Sequence, residues 1–222
     1  MVKTPVYTKE DNLQARKISA KLSENGDIVA DIHTLFRAEQ QDDLHGFNNA
    51  LPKERVEQYL KEELSLPSYN LLKFEYKEEK GKLPVMKEIL QLKAINYASV
   101  SGKRLFINPN MFNQSKARLK DTEKRKQDIL LRMPFADIDS VEITVPAGYK
   151  AESLPAPVSI ETKFGKYSSF TSFKDNKIIY IRKNERNSGR HAPAEAKALS
   201  EYFEKIYRAD RSRIVLIKES LE

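Results

Sequence analysis

Gln14-Ala15-Arg16-Lys17-Ile18-Ser19-Ala20-Lys21-Leu22-Ser23-Glu24-Asn25-Gly26-Asp27-Ile28-Val29-Ala30-Asp31-Ile32 is the stretch on which the fold turns. Apolar side chains recur at every second position, at Ile18, Ala20 and Leu22, and resume the same period at Ile28, Ala30, Ile32 and Phe36. A period of two puts one set of side chains on one face of a pleated strand. Between the runs, Asn25-Gly26 tolerates the left-handed backbone that a tight hairpin turn demands. The stretch therefore predicts a β-hairpin with one buried and one wet face.

The pattern continues outward. Strands are predicted around Leu72, Phe74 and Tyr76, from Ile89 to Val100, and at Arg104 to Ile107, with Glu78-Glu79-Lys80-Gly81-Lys82 as a charged loop. More follow at Ile129 to Met133, Val141 to Val145, Val158 to Phe164, Tyr167 to Phe173 and Ile178 to Arg182, separated by Pro and Gly; a last one spans Ile214 to Ile217. Helical spacing appears twice. Leu51-Pro52-Lys53 opens a helix with Val56, Tyr59, Leu60 and Leu64 on one side and Pro67 as its stop, and Pro193 to Tyr207 carries the stripe Ala196, Leu199, Phe203, Ile206 and Tyr207. Residues 111–127, with Lys116, Arg118, Lys120, Lys124, Arg125 and Lys126 set against Asp121 and Glu123, read as a flexible loop or solvated helix. Short strands with turn residues between them predict a mainly β fold, a jelly-roll-like antiparallel β-sandwich of about eight to twelve strands with two accessory helices. Residues 1–222 are expected to form a single domain, with 111–128 as the one place where a boundary could fall.

Composition narrows the function. The 222 residues carry a net charge of +7, but acids are interleaved with the bases, so no dense phosphate-neutralising footprint stands out and nucleic-acid binding is not expected. There is no cysteine, hence no disulfide, thiolate nucleophile or Cys-type zinc site. No apolar run approaches the roughly 20 residues that span a bilayer, and Met1-Val2-Lys3-Thr4-Pro5 lacks a signal-peptide core, so no membrane insertion is expected. Met1 as an added start and Leu221-Glu222 as a cloning scar would make this a piece of a longer protein.

Catalytic chemistry is hard to find. No Gly-x-Ser-x-Gly elbow, Gly-x-Gly-x-x-Gly fingerprint or P-loop occurs, so no cofactor is expected. His33 sits on the exposed face of a strand, His45 before a helix and His191 in a loop, without shared spacing, and Asp42-Asp43 near His45 reads as a solvated loop rather than a metal site. The carboxylate pairs Glu62-Glu63, Glu78-Glu79 and Asp137 with Asp139 read as helix faces or turns. Phe164, Tyr167, Phe170 and Phe173 cluster on one hairpin, where core packing and cross-strand pairing are favoured over a sugar-stacking platform. The sharpest local feature is the run from Arg182 to His191, read as a loop in which Arg182, Lys183, Arg186, Arg190 and His191 could bind an anionic polymer, a phosphate group or an acidic partner.

Several segments taken together resemble a known family. They are Arg132-Met133-Pro134-Phe135, Val145-Pro146-Ala147-Gly148-Tyr149-Lys150, Leu154-Pro155 and Phe164-Gly165-Lys166-Tyr167, then Tyr202-Phe203, Ile206-Tyr207, Ala209-Asp210 and Ile214-Val215-Leu216-Ile217-Lys218. With the hairpin at Leu22 to Asp27, they resemble the C-terminal block of bacterial transglutaminase-like proteins, particularly of Bacteroidetes. In that family an N-terminal β-domain and a papain-like core with a Cys-His-Asp triad, of cysteine-protease type, precede a closing β-sandwich of unknown function. None of the triad has a counterpart here. The resemblance implies a non-catalytic accessory domain in the periplasm or outside the cell, whose partner is the transglutaminase-like core of the same parent chain. An independent module binding glycans or anionic polymers is the alternative.

Overall fold

In the computed structural model the described residues are 6–219, apart from 65, 67, 120–122 and 124; Pro67, Lys120, Asp121, Lys124 and both termini of the sequence reading fall outside them. The predicted hairpin is present as β1 (Leu13–Leu22) and β2 (Ile28–Arg37), with Ile18 opposite Ile32 and Ala20 opposite Ala30. Gly26 turns it at φ 86°, where a Cβ would run into the carbonyl oxygen of Ala98. That close approach serves a hydrogen bond, from Ala98 N–H to the Gly26 carbonyl at 3.0 Å.

A 3-10 turn at Ala38–Gln41 leads into α1 (Asp42–Ala50) and α2 (Lys53–Glu63). The helix expected after Leu51 is α2, which buries Val56 and Leu60. α1 buries no residue, so no apolar stripe marks it in the sequence, and His45 lies within it rather than before it. Then come β3 (Tyr69–Glu79), β4 (Val85–Ala94), β5 (Ser99–Ser101) and β6 (Arg104–Ile107). The strand expected from Ile89 to Val100 is broken: Asn96 adopts φ 54° and donates its N–H to Asp27 Oδ1, so the chain turns between β4 and β5. Glu78 and Glu79, expected in a loop, belong to β3.

The second half supplies β7 (Ile129–Leu131), β8 (Phe135–Thr144), β9 (Tyr149–Ser153), β10 (Val158–Thr162), β11 (Gly165–Lys174), β12 (Lys177–Arg186) and β13 (Gly189–His191). A 3-10 turn at Pro193–Glu195, α3 (Ala196–Ala209) and β14 (Ile214–Lys218) follow. The fold is mainly β, as expected, with more strands than expected and a third α-helix.

Eight strands form one sheet in the order β10-β11-β12-β8-β1-β2-β4-β3, and a four-stranded sheet has the order β5-β6-β14-β9. β13 pairs with β7. Among the described residues all pairs are antiparallel except one: β1 and β8 run parallel, with Ile18 beside Val141. That exception corrects the purely antiparallel expectation, and it joins the N-terminal hairpin to the C-terminal strands.

One face of the large sheet presents Ile18, Leu22, Ile28, Ile32, Leu90, Leu92, Ile143 and Ile178 to Leu105, Ile107, Ile214 and Leu216 of the small sheet, and α2 closes the same core with Val56 and Leu60. Each such aliphatic side chain gains about 1.5–3 kcal/mol on leaving water. α3 covers the far end, packing Leu199, Phe203 and Ile206 with Phe164 and Tyr167. Residues 108–119 have no regular structure, yet Asn110 and Met111 are buried and residues 112–115 half-buried, so the start of the polar stretch lies against the core, with Lys116 and Arg118 exposed.

Candidate functional site

The apolar alternation of the inner face gives way at one end to polar side chains held in register. Arg182 on β12 pairs with Asp139 on β8, Asp139 with Arg16 on β1, Arg16 with Thr34 on β2, and Thr34 with Glu88 on β4. Tyr76 on β3 completes the row and donates its hydroxyl to Glu88 Oε2 at 2.8 Å. A transverse row of polar side chains, two arginines and two carboxylates with Thr34 and Tyr76, thus crosses six strands on the inner face of the sheet, with Arg16 and Tyr76 half-buried and the rest buried.

Its densest part is Arg182, 1% exposed. The guanidinium donates from Nε to Asp210 Oδ1 at 2.7 Å and from Nη2 to Asp210 Oδ2 at 3.1 Å, and from Nη1 to Asp139 Oδ2 at 3.2 Å. The two-pronged contact with Asp210, just beyond the C-terminus of α3, is the geometry in which arginine binds a carboxylate best. Tyr167 Oη donates to Asp210 Oδ1 at 2.8 Å and Ser115 N–H to Oδ2 at 2.7 Å. Asp139 accepts from Asn113 Nδ2 at 2.8 Å, and Arg16 Nη1 donates to Asn113 Oδ1 at 3.0 Å. Burial works against the arginine's charge, but the hydrogen bonds and charges of Asp210 and Asp139 outweigh it and hold its pKa above the ordinary range. Burial, together with the charge of Asp210, pushes the Tyr167 phenol up to about 12.

Next to this row, Asp137 faces inward on β8 and takes a 3.0 Å hydrogen bond from Gln40 Nε2. Burial raises its pKa to about 6, against the lowering pull of Gln40 and Arg182. Asp137 and Asp139, expected in a turn, instead alternate inward along a ten-residue strand.

The basic run does not form a loop, which corrects the sequence reading. Arg182, Lys183 and Arg186 lie on β12 and Arg190 and His191 on β13, so alternation sends them in different directions. Arg182 is interior. Lys183 is exposed and meets Glu185 at 2.5 Å. Arg186 lies over the rings of Phe135, at 4.8 Å, and Phe203, at 5.3 Å, and burial lowers its pKa. Arg190 reaches Asp128 at 3.2 Å, while His191 is buried edge-on to Phe164 with Nδ1 3.5 Å from Glu195. Phe164 and Tyr167 are core residues, as the pairing argument expected. Among the described residues no group of three His, Asp or Glu side chains converges as a metal ion would require, and no helix is long and apolar enough to cross a membrane.

Asp210, Asn113 and Tyr167 were not legible as parts of a charge cluster, because they come from distant segments. The direction of Arg182 was legible: it shares the parity of Ile178 and Tyr180, which point inward. The fold and its buried charge row define a mainly β domain whose most concentrated ionisable groups are engaged with one another. Residues 103–216, just over half of the chain, match the family described as a domain of unknown function with solved structure (DUF3858), and the chain belongs to that family. No curated protein matches it.

Proposed function

We propose that this chain is a non-catalytic accessory and interaction domain that packs beside a transglutaminase-like core, of cysteine-protease type, in a periplasmic or extracellular envelope protein. The observation that carries this reading is the saturation of the Arg182, Asp139 and Asp210 cluster. Nucleophilic or acid–base chemistry needs a group held within reach of substrate and free to change partners. Here the two carboxylates and the guanidinium are buried and occupied by each other and by Tyr167, Asn113 and Ser115. Such a cluster fixes α3 against β8 and β12. Membership in a family of unknown function is compatible with an accessory role, and the turn and core motifs that resemble the closing block of transglutaminase-like proteins supply the partner.

The test is the coding sequence immediately upstream of residue 1 together with an activity assay. A core bearing Cys, His and Asp is expected there, and the purified 222-residue chain is expected to leave peptide and amide substrates intact. A stop codon or an unrelated domain upstream, or turnover by this chain alone, overturns the reading.

A further inference from the structure

Among the described residues the large sheet is covered on one face only, and outward side chains such as Lys17, Lys21, Val29, Asp31 and His33 are exposed on the other. On the other, β11, β12, β8, β1, β2 and β4, each ten residues long, lie side by side. At about 4.8 Å between strands and 3.3 Å per residue they make a surface of roughly 900 Å2, against the ~800 Å2 that a standard interface takes from each partner.

A solvated sheet face is ordinarily polar. This one has an apolar patch towards its β11 side: Phe170, 50% exposed, stands directly opposite Ile181, 40% exposed. The neighbouring outward positions are Ser168 and Ser172 on β11, Ser140 on β8, and Ile179 and Lys183 on β12; the three serines leave the aromatic ring accessible and Ile179 extends the apolar patch. An aromatic and aliphatic anchor in a polar surround is the anatomy of an interface hot spot.

The charges on this face are unbalanced. Its acids are already engaged, Glu142 with Lys177 at 2.7 Å and Asp31 with Gln91 at 2.9 Å, while Glu185 is held by Lys183 and Lys9. Lys17, Lys21 and Lys174 are exposed on the same face and have no ion pair among the described residues. Two copies of such a face would repel each other, so the complementary occupant is acidic.

We infer that the uncovered face of the eight-stranded sheet docks an acidic protein domain, with Phe170 and Ile181 as the anchor and Lys17, Lys21 and Lys174 as the cations that meet its carboxylates. This rests on the accessory-domain reading and names the surface and partner chemistry it requires; the partner is the core of the same parent chain.

The experiment uses the parent protein and a carbodiimide, which joins lysines to carboxylates in direct contact. Crosslinks from Lys17, Lys21 or Lys174 to acids of the core are expected, and the variant Phe170→Ser with Ile181→Ser, which keeps all three amines, should lower their yield at least about tenfold, the scale of a lost hot spot. The variant's own fold is checked by its circular dichroism and melting temperature, which should stay close to the parent's since both positions are exposed. Crosslinks to the core from other faces alone overturn the docking surface and leave the accessory reading standing. No crosslink to the core from any face overturns both. Dimers joined through Phe170, or binding of this face to vesicles of anionic lipid instead of the core, also overturn the inference.

Discussion

Arg182 is costly to bury and costlier to remove. Taking its charge from water is offset by the two carboxylates that close on it, so the cluster as a whole adds little net stability, whereas breaking one side strands a buried charge. Arg182→Met is therefore expected to destabilise the chain by about 3–5 kcal/mol, read from the urea unfolding midpoint, and combining it with Asp139→Asn and Asp210→Asn should cost less than the single change. Additive losses would show that the three side chains do not act as a unit. Asp137 behaves differently. Its pKa is raised to about 6 from 3.8, so the folded state holds its proton more tightly than the unfolded state, and the group lowers stability as pH rises through that interval. Asp137→Asn keeps the acceptor for Gln40 and removes the charge. It is expected to raise the melting temperature at pH 7 and to leave stability near pH 4 almost unchanged; an equal shift at both pH values would contradict burial as the cause.

Among the elements, β11 shows how closely strand and helix are fitted. A Cβ on Gly165 would overlap the carbonyl oxygen of Glu185 on β12 and press on Tyr202 Oη of α3 at 2.8 Å. Gly165→Ala should cost about 1–3 kcal/mol in thermal or urea unfolding, the usual range for overpacking a filled interior, whereas Lys197→Ala on the exposed side of α3 should stay within about 0.5 kcal/mol. Elements were legible in the sequence wherever one side of them is buried. The hairpin and α3 carry clean periods of two and 3.6 because the sheet face and the helix stripe are apolar. α1 carried none because it buries nothing, and β9 was missed because its five residues bury Tyr149 alone. The charge cluster escaped for another reason: Asp139 on β8, Asp210 at the end of α3 and Asn113 in the irregular segment are set side by side by tertiary packing of distant segments, which local periodicity does not encode. The uncovered sheet face was not read from the sequence: the grouping of Phe170 with Phe164, Tyr167 and Phe173 predicts core packing, yet Phe170 is 50% exposed, because its parity is opposite to that of Tyr167 and Phe173.

At the scale of the molecule, the matched family region begins at residue 103, yet the core does not respect that boundary. β1, β2 and β4 pack their inner residues in the same cluster as β6, β8, β12 and β14. A chain cut to residues 103–216 would expose the edge of β8 that now pairs with β1 and uncover the apolar face of the small sheet. Such a piece is expected to self-associate or fail to unfold cooperatively, as sedimentation and urea titration would show, while the full chain unfolds in one transition. A monomeric, cooperatively folded 103–216 would contradict the shared core.

The parallel seam between β1 and β8 has a further consequence, which concerns time. Leu13 meets Ala136, so the central ladder joins residues more than a hundred positions apart. Contacts of such long range are slow to form, because loop-closure entropy is lost before they are made. During synthesis the N-terminal hairpin leaves the ribosome with its apolar face bare and waits until Thr144 has followed. A refolding chain should show the same wait: tryptophan being absent, tyrosine fluorescence would report the closing of this seam as a late phase, with the hairpin's own exchange protection appearing no earlier.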